Sequence, residues 1–156
     1  MIDLVYFTED VRCYKDGSVE RLFKRNSRWG KKGWNVVSNT ANSGDGYNRI
    51  EVDGKWLRRN RMIAFCFLGL NIDDLSKIVD HINRDTIDNS ADNLRVVTNQ
   101  QNGFNTNAKG YCWNKSRGKW QAQIGVDGRN IHLGLFDNEE DAHQAYLDAK
   151  AIYHVI

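Results

Sequence analysis

Two Asp-Gly pairs, Asp53-Gly54 and Asp127-Gly128, constrain the fold of this chain more than any other feature. Each pair lies between two short runs in which apolar and polar residues alternate, as expected for strands with one buried face. Asp-Gly favours the two-residue hairpin turn in which both residues have a positive φ. We therefore predict antiparallel hairpins around both pairs, and short strands rather than helices over most of residues 1–60.

The last third of the sequence adds a strand and a helix to the second hairpin. GYCWNKS precedes the hairpin strands KWQAQIGV and RNIHLGLF, and Asn138 is placed to cap a following helix. The apolar residues at helical spacing after Asn138 are Ala142, Ala145, Tyr146, Ala149 and Ile152. This pattern predicts a three-stranded antiparallel sheet covered by one amphipathic helix, with Trp120, Ala122 and Ile124 on the helix side.

The middle of the chain alternates short buried segments with polar loops. RMIAFCFLGL follows Asn60 as a candidate N-cap and predicts a short buried helix that ends near Gly69. SKIVDHI and LRVV predict two strands, which the polar loop NRDTIDNSADN separates. Thr98 and Gln101 form a capping box, so a helix is expected to begin at Thr98.

Cysteine usage and hydropathy indicate the cellular setting. Cys13, Cys66 and Cys112 are isolated, which argues for a reducing compartment and against a structural zinc site. No signal peptide is visible, because the N-terminus has no basic start followed by an apolar run. The longest apolar stretch, residues 62–70, is too short to span a bilayer. We therefore expect a cytoplasmic protein without zinc.

The net charge of +2 conceals a strong segregation of charge along the chain. Residues 11–65 contain 13 Lys or Arg against 5 Asp or Glu, and residues 109–132 contain 5 against 1. The segment between them, residues 66–108, is acidic, with 3 Lys or Arg against 6 Asp or Glu. Basic segments attract a polyanion such as DNA by neutralising its phosphates, and clustered carboxylates suit a divalent cation.

Four polar residues of the middle segment form the candidate site. Asp80 and His81 end one predicted strand, and Asn93 opens the next strand twelve residues after the histidine. Asn102 follows nine residues later in the capped helix. Taken singly, each residue is ordinary, since a lone His is more often a satisfied polar residue and Asn commonly turns loops. Taken together, a hairpin with the helix across it can bring all four side chains to one place.

The segment from Val79 to Gly103 resembles the HNH nucleases, also called the His-Me finger or ββα-metal family. The form of the motif is similar to that of phage and group I intron homing endonucleases. The matching residues are Asp80-His81, Asp88-Asn89, Asn93-Leu94-Arg95, Val97-Thr98 and Asn102. The resemblance implies that His81 is the general base and that Asn93 orients it. It further implies that Asp80 and Asn102 bind one divalent metal ion.

Phosphodiester hydrolysis explains why these residue types are needed. A neutral imidazole can take a proton from the attacking water at physiological pH. An Asp carboxylate and an Asn carbonyl are hard oxygen donors of the kind that bind Mg²⁺, for which Mn²⁺ can substitute. Because only one carboxylate is a predicted ligand, we expect weak metal binding unless a DNA phosphate completes the coordination shell.

Two other metal-binding interpretations concern the same loop. An EF-hand beginning at Asp80 is excluded, because Ile82 occupies the third position and the required Gly and Glu are missing. Asp85, Asp88 and Asp92 could form a carboxylate cluster for a second metal. Turns and caps made by these side chains are the more ordinary interpretation.

Residues 110 to about 153 resemble the plant Apetala-type, ethylene-response-factor DNA-binding domain, a module also found at the C-terminus of phage HNH endonucleases. GKW, the LG-x-F-D turn and the A-x-x-AY helix carry this resemblance. It implies that the sheet face opposite the helix lies in the DNA major groove. The candidate DNA-binding residues there are Asn114, Lys115, Arg117, Lys119, Gln121, Gln123, Asn130 and His132. The candidate phosphate contacts in the N-terminal part include Arg58 and Arg59, among Arg21, Lys24, Arg25, Arg28, Lys31, Lys32 and Arg61.

These patterns predict an α+β protein in which a ββα-metal module precedes a three-stranded antiparallel sheet packed on one helix. The predicted domains are an HNH nuclease domain at residues 1–104, a linker at 105–109 and an Apetala-type DNA-binding domain at 110–156. The predicted function is metal-dependent hydrolysis of double-stranded DNA by a phage-associated, homing-type endonuclease in a bacterial or phage-infected cell. Two alternatives remain: a DNA-binding regulator with an inactive nuclease motif, and a structural factor that only holds DNA.

Overall fold

The computed structural model describes residues 3–155 and divides into two compact units, Met1–Thr98 and Asn99–Ile156. The elements of the first unit are β1 (Leu4–Thr8), β2 (Val11–Tyr14), β3 (Val19–Phe23), β4 (Gly33–Val36), β5 (Arg49–Val52), β6 (Lys55–Arg58), α1 (Arg59–Phe67), β7 (Ile78–His81) and β8 (Leu94–Val97). The elements of the second unit are α2 (Asn99–Phe104), β9 (Tyr111–Asn114), β10 (Lys119–Val126), β11 (Arg129–Phe136) and α3 (Glu139–Tyr153). Antiparallel sheets with few helices confirm the α+β class.

The core of the first unit forms where helix α1 packs against three small sheets. Strands β1 to β4 make one antiparallel sheet in chain order, while β5–β6 and β7–β8 are two-stranded hairpins. The buried residues of this core include Val11, Cys13, Val19, Ile50, Met62, Ile63, Val79 and Leu94. The β7–β8 hairpin is therefore anchored to the rest of the unit through Val79 and Leu94.

The predicted Asp-Gly turns are confirmed at both hairpins. Asp53 and Gly54 have φ values of 50° and 78°, between β5 and β6. Asp127 and Gly128 have φ values of 50° and 73°, between β10 and β11. Positive φ at both central residues is the geometry that matches the right-handed twist of the flanking strands.

Helix α1 begins earlier than the sequence predicts. It starts at Arg59, so Asn60 lies inside its first turn rather than at the N-cap. The Asn60 side chain is buried and donates a hydrogen bond to the backbone oxygen of Val79 at 3.2 Å. Asn60 thus ties the helix to β7. The cap prediction was wrong because Asn60 is already the second residue of the helix. Gly69, with φ of 70°, follows the C-terminal end as predicted.

Arg59 was predicted to contact DNA, and the structure corrects this prediction. Its side chain is 1% exposed, and its guanidinium donates to four acceptors within the first unit. These acceptors are Asn48 Oδ1 at 2.8 Å, Gly17 O at 3.1 Å, Val37 O at 2.9 Å and Ser38 O at 2.7 Å. Burial lowers the pKa of Arg59 to about 10, so the group stays charged at neutral pH. Arg59 therefore joins separate segments of the core, and its guanidinium has no exposed face for a phosphate.

In the second unit, a three-stranded sheet packs on helix α3. Strand β10 pairs with both β9 and β11 in antiparallel register, and Ala122 and Ile124 are buried beneath the helix. Asn138 caps α3 as predicted, since its Oδ1 accepts from the backbone N–H of Asp141 at 2.8 Å. Ile152 departs from the predicted stripe and is exposed, because it lies in the last turn of the helix. None of the helices within residues 3–155 is long and apolar enough to cross a membrane.

Candidate functional site

The β7–β8 hairpin carries the Asp-His pair of the candidate site. Asp80 lies opposite Arg95 and His81 lies opposite Leu94 in the antiparallel register. Successive strand residues point to opposite faces, so the side chains of Asp80 and His81 lie on opposite faces of the hairpin. His81 is buried, whereas the Asp80 carboxylate is partly exposed and pairs with Arg95.

An amide fixes the orientation of the His81 ring. Nε2 of His81 lies 3.2 Å from Oδ1 of Asn89. The Asn89 amide nitrogen donates to Asn39 Oδ1 at 3.2 Å and to Ile87 O at 3.0 Å, so the amide oxygen must face the ring. An oxygen acceptor at Nε2 requires the proton on that nitrogen, which leaves the lone pair of the neutral ring on Nδ1.

The backbone around Asn89 is held in place by the turn between β2 and β3. Gly17 in that turn has φ of 87°, and a Cβ at this position would lie 2.5 Å from the carbonyl carbon of Asn89. Only glycine allows this approach of the two backbones. The backbone N–H of Ala91 also donates to Lys15 O in the same turn, at 2.8 Å. The turn thereby positions Asn89 and, through it, the His81 ring.

A cluster of charged and aromatic side chains lies beside the His81 ring. The ring of Tyr47 is 5.9 Å from it between centroids, and the Arg58 guanidinium lies over Tyr47 at 4.3 Å. Asp45 accepts from Arg58 and from Arg49, each at 2.7 Å. The hydrogen bond from the Ser43 hydroxyl is the main cause that lowers the pKa of Asp45. The two arginines lower it further, so the carboxylate stays charged. Arg58, predicted as a phosphate contact, is partly exposed and already paired.

Asn93 contacts the loop rather than the histidine ring. Its amide nitrogen donates to Asn83 Oδ1 at 3.0 Å and to Asp88 O at 2.8 Å, which uses both hydrogens. Its Oδ1 accepts from the Asn83 backbone N–H at 3.0 Å. Asn93, which the resemblance implies to orient His81, therefore makes no hydrogen bond to the ring. Asn93 closes the loop that leads to Asn89, so its influence on the ring is indirect.

The three other carboxylates of the loop have structural partners. Asp85 Oδ1 accepts from the Ile87 backbone N–H at 3.0 Å, and Asp88 Oδ2 accepts from Asn83 Nδ2 at 2.9 Å. Asp92 pairs with Lys15 at 2.9 Å. These contacts favour the turn and cap interpretation over a second metal site.

Asp80 offers one carboxylate for a cation. Its Oδ2 accepts from Nε and Nη2 of Arg95, at 2.8 Å and 2.7 Å. Within residues 3–155, no group of three or more His, Cys, Asp or Glu side chains is placed to hold a metal ion. A hard-oxygen site with one carboxylate fits Mg²⁺, which usually keeps several waters and binds through one or two carboxylates plus substrate phosphates.

The model of the HNH endonuclease family matches residues 69–104, which include β7, the loop, β8 and α2. We call residues 69–104 the HNH segment, after this match. A solved structure described as DNA binding and cleavage by the HNH homing endonuclease I-HmuI shares 22% sequence identity, with a TM-score of 0.51. The match covers 84% of this chain and 77% of that one, and it shows a likeness of fold. No curated protein sequence matches the chain.

The end of the HNH segment lies in the second compact unit. Helix α2 begins at Asn99, directly after Thr98, and carries Asn102. Gln100 donates to Asp127 at 2.6 Å, and the Phe104 ring stacks on His154 with centroids 4.0 Å apart. These contacts join α2 to the turn between β10 and β11 and to the residue that follows α3. The predicted domain boundaries, with a linker at residues 105–109, stay a prediction.

The second unit places most of the predicted DNA-binding residues on one surface. Alternation along β10 puts Lys119, Gln121 and Gln123 on the face opposite the buried Ala122 and Ile124. The register places Asn114 opposite Lys119, and His132 opposite Gln123. Asn130 lies opposite Gly125 at the end of the same hairpin, while Lys115 and Arg117 are exposed in the turn between β9 and β10. We call this surface the open sheet face.

Several residues around the HNH segment were not assigned a role from the sequence. Asn89 belongs to the matched motif, but nothing in the spacing indicated that it, rather than Asn93, contacts His81. Asn39 and Tyr47 are far from His81 in sequence and lie outside the motif. Trp113 is 47% exposed on the edge strand β9 and contacts Trp120 edge-on, with centroids 5.2 Å apart.

Proposed function

We propose that this chain is a metal-dependent endonuclease that hydrolyses phosphodiester bonds of double-stranded DNA, of the homing type associated with phages. The observation that carries the proposal is the HNH match over residues 69–104, which contains His81 beside Asp80 on β7. The likeness of fold to a homing endonuclease adds support. The basic segments supply charge that suits a polyanion.

In this proposal His81 acts as the general base. Its Nδ1 takes a proton from a water molecule, and the water oxygen attacks the phosphorus as the bond to the departing 3′ oxygen breaks. Asn89 supports this role because its acceptor oxygen keeps the proton of the neutral ring on Nε2. After proton transfer the same oxygen still accepts from Nε2 of the imidazolium. Asn93 contributes by bracing the loop that carries Asn89.

Asp80 and Asn102 are the proposed ligands of a divalent cation, Mg²⁺ in the first instance, with Mn²⁺ as a substitute. When bound, such a cation stabilises negative charge on the phosphate and on the departing oxygen. Arg95 holds the Asp80 carboxylate in a fixed orientation. The support for Asn102 is its place in the motif and within the matched segment.

The open sheet face is the proposed DNA-reading surface of the second unit. Its amide side chains suit adenine edges, and Lys and Arg suit guanine or phosphates. We further propose that the second unit is an Apetala-type DNA-binding domain, as its sequence resemblance implies. All residues of the open sheet face lie on β9, β10, β11 and the turn after β9, so this surface belongs entirely to the second unit.

Incubation with supercoiled plasmid tests the proposed function. We expect nicked or linear products with Mg²⁺ and none with EDTA, with 5′-phosphate and 3′-hydroxyl ends. DNA binding without any cleavage under a range of divalent cations would instead favour the regulator with an inactive motif.

Asn89→Ala is expected to slow cleavage by about tenfold with little change in DNA affinity, because one hydrogen bond that orients the base is lost. Single-turnover rates and equilibrium binding measured on the same duplex separate the two effects. A loss confined to affinity would show that Asn89 does not act through His81.

A further inference from the structure

The connection between β3 and β4, residues 24–32, is strongly basic and exposed. We call it the basic loop. Its cationic residues are Lys24, Arg25, Arg28, Lys31 and Lys32, and it contains no Asp or Glu. Lys24 pairs with Asp10 at 2.9 Å, whereas the other four form no ion pair within residues 3–155. The basic loop therefore concentrates positive charge that the protein itself does not neutralise.

A tryptophan lies in the same loop. Trp29 is 79% exposed, and the Arg28 guanidinium lies 5.2 Å from the centroid of its ring. An indole is among the largest apolar groups in proteins, so covering it with another surface gives an especially favourable free energy. A binding partner that covers the Trp29 ring would therefore explain why the folded chain leaves it exposed.

The basic loop is ordered by its own hydrogen bonds. Ser27 and Gly30 form an antiparallel bridge, with the Ser27 N–H donating to Gly30 O at 2.9 Å. The Lys32 N–H donates to Asn26 Oδ1 at 2.8 Å, and Asn35 Nδ2 donates to Lys31 O at 2.7 Å. A loop that is already ordered loses little conformational entropy on binding.

We propose that the basic loop is an anchor on double-stranded DNA, in which Trp29 packs against bases while the neighbouring cations contact phosphates. Charge complementarity favours this partner, since four cations without an ion pair share a nine-residue loop with one indole. Apolar side chains that enter a DNA groove beside basic residues can wedge against base steps. A membrane surface fits less well, because the exposed apolar group in the loop is a single side chain. This inference rests on the proposed action on DNA, but it concerns binding and not catalysis.

Equilibrium binding to a short fluorescent duplex in EDTA tests the anchor without cleavage. Trp29→Ala is expected to bind about 5- to 100-fold more weakly, the size of effect found when an aromatic that stacks on a base of single-stranded nucleic acid is removed. Trp29→Phe should recover part of the affinity because it keeps a flat ring. Val155→Ala is the control: Val155 is 68% exposed but lies outside the basic loop, the HNH segment and the open sheet face, so its truncation should leave affinity unchanged.

Charge is tested separately with Arg25→Gln, Arg28→Gln, Lys31→Gln and Lys32→Gln. Each lost phosphate contact should reduce the slope of log affinity against log salt by about 0.9. Because all four side chains are exposed, circular dichroism spectra of the variants should match the wild type.

The outcomes separate this inference from the proposed function. A wild-type protein that binds no duplex would overturn both. Wild-type binding with unchanged affinity in Trp29→Ala, or with an unchanged salt slope in the glutamine variants, would overturn the anchor alone. Sedimentation with phosphatidylserine vesicles that depends on Trp29, together with DNA binding that does not, would also overturn it and identify a membrane contact.

Discussion

Alanine in place of His81 is expected to slow DNA cleavage by about 10²–10⁴-fold, the usual cost of removing a general base. DNA affinity should stay at the wild-type value, because the ring is buried among Asn89 and Tyr47 and not on the basic surfaces. Single-turnover cleavage of plasmid in Mg²⁺ measures the rate, and binding in EDTA measures affinity.

His143→Ala provides a matched control for this variant. His143 lies on helix α3, where Nδ1 lies 3.1 Å from Lys109 O, outside the HNH segment. Its replacement should leave the cleavage rate within the wild-type range. A His81→Ala protein that cleaves as fast as His143→Ala would remove His81 from the mechanism.

Arg59→Ala is expected to lower the free energy of unfolding by about 3 kcal/mol or more, because it leaves several buried acceptors without a donor. The acceptors come from Gly17, Val37, Ser38 and Asn48, which belong to different segments of the first unit. Urea unfolding followed by circular dichroism measures the change.

Arg58→Ala is the control at the adjacent position. Arg58 is partly exposed and its ion pair with Asp45 is accessible to solvent, so the loss should be about 1 kcal/mol or less. Equal destabilisation by the two substitutions would contradict the structural role assigned to Arg59.

The local features of the fold could be predicted because short stretches of sequence determine them. The Asp-Gly turns require positive φ at two adjacent residues, and Asn138 caps α3 through a residue three positions away. Alternation along β10 likewise separated the helix-covered face from the open sheet face. Each of these depends on neighbours within one element or one turn.

The parts that escaped prediction depend on contacts between distant segments. Arg58 and Arg59 are adjacent and chemically identical, yet Arg59 turns into the core because acceptors from residues 17 to 48 converge on it. Asn39, fifty residues from Asn89, fixes the amide that faces His81. Sequence spacing alone contains no information on either contact.

The linker at residues 105–109 stays a prediction. Gly and Asn residues in this stretch suggested a connection between two modules. Within the second unit, Thr106 O accepts from Lys150 at 3.0 Å, and the Phe104 ring stacks on the His154 ring. These partners come from α3 and the residue after it, more than forty residues along the chain.

The position of the divalent cation tests most directly the claim that residues 69–104 hold a nuclease centre. The measurement is anomalous scattering from crystals of the protein–DNA complex soaked with Mn²⁺. We predict one ion bound by oxygens of Asp80 and Asn102. An ion bound instead by Asp85, Asp88 and Asp92, with none at Asp80, would contradict this assignment.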